Sequence, residues 1–455
     1  MNVIIYGASQ LGAEIARHLV LQNIDVTVID KSEKALQKIQ NLQEINRVIG
    51  NIFDVEFLKG LNFTESTYII AALHSDEQNI LACKITDSFF NVKTKIALLR
   101  SQIFWQGSIF EMFLRENFGI DIMIQPESEI AGKISEIVQI TGALDVLRLP
   151  NFVAVRTLCL PNTEIINTSL THLPEISDVK LFVLSVTRDE RIFFPESSDS
   201  LFPGDEVFFI VPEDDLHEAM RLFGYPQESA QKLLIGGSER IENPLVRELL
   251  LKNPSLSITI VEDSLKQAEE LAQKFPDCTV VNEDFQNANL LQDIGTRYFD
   301  TAIVCSDHER RNILASLLLK QSNISRILTL CASENYNSLF SAEDRCSLIN
   351  PGNIVLESVM RNLGKNKNFS VISGQNHFFY IIDVRVSDQF DVVENNILSI
   401  ARDDFVVPLF QVRDENINII QSDTALQSDD RVIILSSEKY IKFVEKFFFG
   451  YSFVS

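Results

Sequence analysis

The sequence predicts an α/β protein of two doubly wound, parallel-sheet domains, each followed by a small α+β domain. Three observations carry that expectation. Strand-sized apolar runs alternate with helical patterns over two long stretches, two of those runs feed glycine turns, and the order of parts in the first half recurs in the second. Strands alternating with helical segments are the signature of βαβ crossovers and of a parallel sheet covered on both faces. At 455 residues the chain is also too long for one hydrophobic core, since cores stop growing at about 250–300 residues.

The first large unit opens on the buried-strand pattern Val3-Ile4-Ile5-Tyr6, which runs into Gly7-Ala8-Ser9-Gln10-Leu11-Gly12 and a helical stretch. A second strand, Asp25 to Asp30, closes on a carboxylate. After the strand Ile69-Ile70-Ala71-Ala72, the acids of Asp76-Glu77 suit the N-terminus of a helical run over Ile80 to Phe89, where they favour the helix dipole. The second large unit repeats this order with Leu233-Leu234-Ile235 and Gly236-Gly237-Ser238, then Ser257 to Glu262, then Ala302-Ile303-Val304. Asn79-Ile80-Leu81-Ala82 recurs letter for letter as Asn312-Ile313-Leu314-Ala315.

The small units lack the alternation. Phe152 to Thr157, Leu181 to Val186 and Glu206 to Val211 read as strands, and Asp214 to Phe223 as a closing helix. Pro203 to Val211 parallels Gln427 to Leu435. Polar or Pro/Gly stretches near Pro150, at 225–229 and at 364–368 mark the boundaries. The expected domains are therefore 1–148, 149–228, 229–366 and 367–455.

Composition removes several function classes. A formal charge of −23 argues against nucleic acid and against direct adsorption to anionic lipid, because both depend on clustered Lys and Arg. The longest apolar runs are strand-sized, far short of the roughly 20 residues that span a bilayer. No basic leader precedes the first strand, so no cleaved signal peptide is expected. The six cysteines are scattered without a CxxC pair, which fits a reducing compartment with neither disulfide frame nor zinc site.

A dinucleotide fingerprint needs glycine at three positions: for the tight turn, for approach of the pyrophosphate to the backbone, and for packing of helix on strand. Gly7 and Gly12 fill the first and third, and Ser9 stands at the second, where its side chain either crowds a phosphate or bonds to it. Amides at a helix start can receive a phosphate in either case. Asp30 lies 23 residues after Gly7. A carboxylate at that strand end accepts from both ribose hydroxyls and repels a 2′-phosphate, which predicts NAD(H) over NADP(H) in a Rossmann-type cleft. The second loop keeps Gly236 and Gly237, but Ile241 stands where the third glycine is expected and Glu239 brings negative charge near any phosphate. Glu262 keeps the ribose position, so the two sites are expected to be unequally occupied. No HExxH or triad-like grouping appears among the six histidines. His74, just after the fourth apolar strand of the first unit, stands at the carboxyl edge where open α/β sheets bind ligands.

As an ordered set, Gly7 to Gly12, Asp30, Ser75-Asp76-Glu77-x-Asn79, Arg100-Ser101, Pro126-Glu127 and Gly142-Ala143-Leu144 resemble the TrkA family, and the resemblance covers essentially the whole chain. That family comprises cytosolic regulatory subunits of bacterial Trk potassium uptake, built from tandem regulator-of-potassium-conductance (RCK) domains. The resemblance implies a non-enzymatic gating protein, forming a homotetrameric ring beneath a membrane potassium channel or transporter subunit of the TrkH/TrkG type. It implies NAD(H), with ATP or ADP as alternatives in the same cleft. By position, Gly7 to Gly12 would cradle phosphates, Asp30 would hold ribose, Asn51 would lie near adenine, and Leu73, His74 and Arg100 would line the rest. The sequence departs from the family pattern at Ser9, at Asn51, at Leu73, where a Thr is usual, and at Leu98, where some relatives carry Arg. Two alternatives stand beside this reading: an NAD-dependent oxidoreductase, which explains only the first loop, and an assembly scaffold in which both clefts are vestigial.

Overall fold

The computed structural model describes residues 2–449 apart from 22–23, 38, 40–43, 62, 93, 102–107, 190, 226–231, 238, 288–298, 323, 341–344, 364–368, 375–377, 388–396, 402–405, 415 and 422–423. The chain divides into two compact units. One comprises Met1–Glu129 with Gly352–Ser455, the other Ile130–Pro351.

In the first unit, β1 (Asn2–Tyr6), β2 (Asp25–Asp30), β3 (Ile45–Ile49), β4 (Thr67–Ala71), β5 (Thr94–Leu98) and β6 (Ile122–Ile124) form a sheet in the order β3-β2-β1-β4-β5-β6. Every pairing in it is parallel. The connections carry α1 (Gln10–Leu21), α2 (Glu33–Gln37), α3 (Val55–Lys59), α4 (Asp76–Phe89) and α5 (Ser108–Phe118), and α6 (Pro126–Gln139) follows β6. Helix α1 buries Ile15, Ala16 and Leu19 against the sheet, the spacing that puts one apolar stripe inward. Helix α4 starts where the sequence places it. Ser75 caps it by accepting from the Gln78 amide at 3.3 Å, and Asp76 and Glu77 occupy its first turn.

The second unit holds one antiparallel sheet and a second parallel one. β7 (Ala143–Leu149), β8 (Phe152–Leu158), β9 (Phe182–Arg188), β10 (Arg191–Phe193) and β11 (Glu206–Pro212) form an antiparallel sheet ordered β10-β9-β11-β8-β7, with α7 (Leu173–Ile176) and α8 (Leu216–Leu222) beside it. Residues 143–148, read above with the first large domain, thus pair with the small sheet. Gly142 turns the chain into β7 at φ +83, and a Cβ there would strike the Tyr225 ring, which explains the glycine of Gly142-Ala143-Leu144. β12 (Lys232–Gly237), β13 (Ser257–Glu262), β14 (Thr279–Asn282), β15 (Thr301–Cys305), β16 (Arg326–Leu330) and β17 (Cys346–Ile349) repeat the doubly wound order as β14-β13-β12-β15-β16-β17. α9 (Glu239–Lys252), α10 (Leu265–Lys274) and α11 (Glu309–Leu319) lie between its strands.

After β17, α12 (Pro351–Leu363) returns the chain to the first unit. It buries Val355, Leu356, Val359 and Leu363 in one core with Val3, Ile5, Val26 and Ile124. Arg361 pairs with Glu129 at 3.1 Å on the rim. The sequence reading grouped 229–366 as one domain, whereas this helix packs on the first parallel sheet. The unit ends with β18 (Phe369–Gly374), β19 (Phe379–Arg385), β20 (Val406–Arg413), β21 (Asn416–Ile419), β22 (Arg431–Ser436) and α13 (Ile441–Phe449). This sheet, ordered β18-β19-β22-β20-β21, has the connectivity of the first small sheet strand for strand.

An Arg–Asp fork sets the turn before the central strand in both small sheets. Arg188 donates twice to Asp205, at 2.8 and 2.7 Å, and Asp205 also accepts from the Phe202 amide. Arg413 donates twice to Asp430 at the same distances, and Asp430 accepts from the Gln427 amide. Burial works against the Asp430 carboxylate, and the Arg413 guanidinium and the Gln427 and Gln411 donors overcome it and hold the carboxyl below its usual range. Gly204 and Asp429 share the left-handed backbone of the turn, at φ +86 and +68. Asp205 therefore corresponds to Asp430, one residue off the pairing of Pro203 with Gln427.

Candidate functional site

Both doubly wound sheets reverse their strand order between the first and fourth strands, and crevices at such switch points bind ligands. In the first sheet the switch lies between β1 and β4, and Gly7 leaves β1 there at φ +105. A Cβ on Gly7 would lie 2.8 Å from the Ala72 carbonyl oxygen, and one on Gly12 would lie 2.3 Å from the Gly7 carbonyl oxygen. Both glycines are thus imposed by backbone approaching backbone. The turn places the start of α1 against the strand ends, with free amides and a positive dipole end facing the crevice.

The Ser9 side chain is engaged within the fold. Its hydroxyl turns inward, donates to the Ala72 carbonyl at 2.7 Å and accepts from the Gly12 amide at 3.2 Å. It is the N-cap of α1, tied to the end of β4. Replacing Ser9 with Ala is expected to cost about 1–2 kcal/mol of stability, the usual value of a lost N-cap, read as a fall in the urea midpoint. Replacing it with Gly is expected to leave NADH affinity unimproved. Tighter binding by that variant would show that the hydroxyl obstructs the phosphate after all.

Asp30 sits half-buried at the end of β2, and its carboxylate closes the turn from the other side. One oxygen accepts from the Ala8 amide at 2.8 Å and the other from the Ser32 amide at 2.8 Å. A carboxylate has about four lone-pair sites, so both oxygens can still accept from ribose hydroxyls. The glycines, the helix start and this carboxylate fit a nucleotide. Gln10 is exposed at the helix start, and Leu11 packs on the core cluster. Asn51, exposed after β3, accepts from the Phe53 amide.

The far wall of the crevice is held by two side chains of α4. Asn79, buried, accepts from the Leu73 amide and donates to the Leu98 carbonyl, both at 2.8 Å, so it staples the ends of β4 and β5 together. Asp76 accepts from the Arg100 amide at 2.9 Å and the Ser101 amide at 2.7 Å. Leu73 is half-buried on this wall, and His74 and Arg100 are exposed beside it. Leu98 itself lies in the core. Neither Asn79 nor Asp76 stood out as a functional group in the sequence, although the repeated Asn-Ile-Leu-Ala was the available signal. Its second copy does the same work: Asn312 accepts from the Ser306 amide at 2.9 Å and donates to the Leu330 carbonyl at 3.0 Å. Three residues earlier Glu309, in the place of Asp76, accepts from the Ser333 amide at 2.6 Å.

The sheet registers fix how the two crevices correspond. Asn2 pairs with Asp25 as Lys232 pairs with Ser257, so Gly7 matches Gly237 and Asp30 matches Glu262. Gly236, read above as the partner of Gly7, matches Tyr6, and Glu242 in place of Ile241 stands at the Gly12 position. A Cβ on Gly237 would lie 2.5 Å from the Cys305 backbone, much as Gly7 abuts Ala72. Gly236 is required by its neighbour, because the Phe285 ring fills the room that Tyr6 takes in the first sheet. Glu262 is 2% exposed and accepts from the Ser264 amide at 2.8 Å. Ser238 lies outside the described residues.

Comparison with known proteins agrees with this architecture. The profile of the TrkA-N domain matches residues 3–126 and 233–351, more than half of the chain, and that of the TrkA-C domain matches 159–224. A Trk system potassium uptake protein TrkA of Azorhizobium caulinodans is 26% identical over 98% of both chains. That of Haemophilus influenzae is 23% identical, again over 98% of each. Among solved structures, one described as the GsuK RCK domain has a TM-score of 0.59 at 16% identity, covering 98% of this chain and 94% of that one. A GsuK channel bound to NAD has a TM-score of 0.59 at 17% identity, covering 97% and 78%. These structural likenesses speak to the fold.

Proposed function

The chain belongs to the TrkA family of potassium-uptake proteins, and from that premise we propose that it is a nucleotide-sensing regulatory subunit which gates a membrane potassium channel or transporter from the cytoplasmic side. The first crevice is the sensor, and NAD(H) is its ligand, with ATP or ADP able to enter the same place. The observation that carries this reading is the clasp between Asp30 and the Ala8 amide, because it puts a ribose acceptor and a phosphate-binding turn in one hydrogen-bonded unit.

Ligand gating needs a difference in affinity between two states of the assembly. The wall formed by Leu73, His74 and Arg100 hangs on Asn79 and Asp76, both on α4. The same helix exposes Leu81 and Phe89, and α5 exposes Met112 and Phe113. Large apolar side chains left in water on adjacent helices favour burial against another subunit, which supports a homo-oligomer, taken to be a tetramer. A nucleotide that draws on the crevice wall therefore pulls on the helix that carries the assembly surface. No helix among the described residues is long and apolar enough to cross a membrane, so contact with the bilayer is assigned to a partner of the TrkH/TrkG type.

Calorimetric titration of the purified chain with NADH, NAD, ADP and ATP tests the sensor. Asp30→Ala is expected to weaken NADH binding by tenfold or more, since a hydrogen bond to a charged group contributes about 1.5–3 kcal/mol. Circular dichroism should stay that of the parent. Unchanged affinity would remove Asp30 from the site. Hydride turnover with a simple 2-hydroxy or amino acid would replace the regulatory reading with an enzymatic one.

A further inference from the structure

The second crevice forms an open cavity of about 270 Å³, lined by Gly237, Glu262, Asp263, Asp284, Phe285 and Asp307 among others. Register-matching shows how far its chemistry has moved. Glu262 stands at the position of Asp30, Asp263 at that of Lys31, Asp284 at that of Asn51 and Asp307 at that of His74. Helix α9 begins on Glu239, and the buried Glu242 occupies the Gly12 position. The guanidinium on the lining, Arg311, is already committed: it bridges Asp263 at 2.8 Å and Asp284 at 3.1 Å. A phosphate placed as in the first crevice meets carboxylates on each side. The remaining features are those of a donor-rich, flat ligand. Phe285 adds apolar lining, Gln267 and Gln286 offer amide edges, and Glu262 and Asp284 are acceptors.

We propose that the second crevice binds a phosphate-free purine nucleoside, with the ribose hydroxyls donating to Glu262 and the base lying against Phe285. The proposal rests on the geometry of the second crevice and is independent of the sensor reading of the first. Small-ligand pockets run from about 300 to 1,000 Å³, and this open crevice, at about 270 Å³, is in keeping with a nucleoside. Against these carboxylates the register-matched turn brings one basic side chain, Arg240, exposed at the position of Gln10, while Glu262 and Asp284 can accept from hydroxyl or amino groups.

The test is calorimetry of the full chain carrying Asp30→Ala and Gly12→Ala, both expected to weaken the first crevice, with adenosine and ADP as probes. Adenosine is expected to bind this chain at least tenfold more tightly than ADP does. Adding Glu262→Gln is expected to weaken adenosine at least tenfold. Gln267→Leu, on the half-buried rim, serves as a second variant should the buried Glu262 substitution unfold the chain. ADP binding as tight as adenosine overturns the proposal, as does adenosine binding that Glu262→Gln and Gln267→Leu both leave intact. Absence of adenosine binding, or a response to Mg²⁺ alone in its place, also overturns it. NADH titrated into the chain with Asp30 and Gly12 intact reports on the first crevice separately, so failure there leaves this result standing.

Discussion

Replacing Arg326 with methionine is expected to lower the stability of the unit formed by residues 130–351 by about 3–5 kcal/mol, among the largest effects a single substitution produces. Arg326 opens β16 and is 6% exposed. Its Nη1 donates to the carbonyls of Ile137, Ile140 and Ala143 at 2.9, 2.9 and 3.0 Å, and its Nη2 to that of Val138 at 3.1 Å. Those carbonyls belong to the last turn of α6 and the chain just after it, where a helix leaves its acceptors unsatisfied and its dipole negative. Burial alone works against the guanidinium and pulls its pKa down to about 10, so it is still charged at neutral pH. The carbonyl bonds, with a further pair to the Thr301 hydroxyl, offset that cost. Methionine fills part of the volume and strands the carbonyls. Urea unfolding followed by circular dichroism should show the loss, and Arg326→Lys should recover only part of it, because an ammonium cannot span the same fan of acceptors. A midpoint within about 1 kcal/mol of the parent would mean that water satisfies the helix end as well as the guanidinium does.

Nothing in the sequence announces that side chain. Arg326-Ile327-Leu328-Thr329-Leu330 reads as a strand with a charge at its solvent edge, and only the helix end packed above it makes the position an interior one. The same distinction runs through the molecule. Patterns set by a residue's own neighbours were legible: the strands with their glycine turns, the Ser75 cap and acidic start of α4, and the duplicated order of parts. Pairings set by distant chain were legible only approximately. Letter matching aligned Gly236 with Gly7 and Pro203 with Gln427, each one residue away from what the strand registers give, because flanking apolar residues look alike after a shift of one. An amphipathic pattern likewise says that α12 has an apolar stripe, and not which sheet will cover it. In the candidate site, Gly7, Gly12 and Asp30 could be named from spacing, because their chemistry follows from the turn. The direction of the Ser9 hydroxyl, and the stapling by Asn79 and Asp76, depend on carbonyls and amides brought in from β4 and β5.

Gly12→Ala is the second substitution with a large expected effect, and Gly132→Ala is its control. Both glycines lie inside helices, where alanine is worth about 0.5–1 kcal/mol over glycine from backbone entropy alone. At Gly132 a new Cβ would have no atom within 4 Å, so Gly132→Ala is expected to raise stability by about that amount. At Gly12 the Cβ would lie 2.3 Å from the Gly7 carbonyl oxygen, which is backbone and cannot rotate aside. Either α1 lifts from β1, loosening Ile15, Ala16 and Leu19 in the core, or the turn at Gly7 opens and breaks the Ser9 contact with Ala72. Overpacking of this kind typically costs about 1–3 kcal/mol, and it moves the helix-start amides away from where a phosphate would sit. Gly12→Ala is therefore expected to lower the urea midpoint and weaken NADH binding by more than tenfold, while Gly132→Ala leaves NADH affinity unchanged. The second unit shows the alternative state of the same position, since Glu242 stands there and the crevice above it has turned acidic. If Gly12→Ala kept parental affinity, the close approach of α1 to β1 would be a packing feature alone, and the ligand would have to be held by the Asp30 side of the crevice.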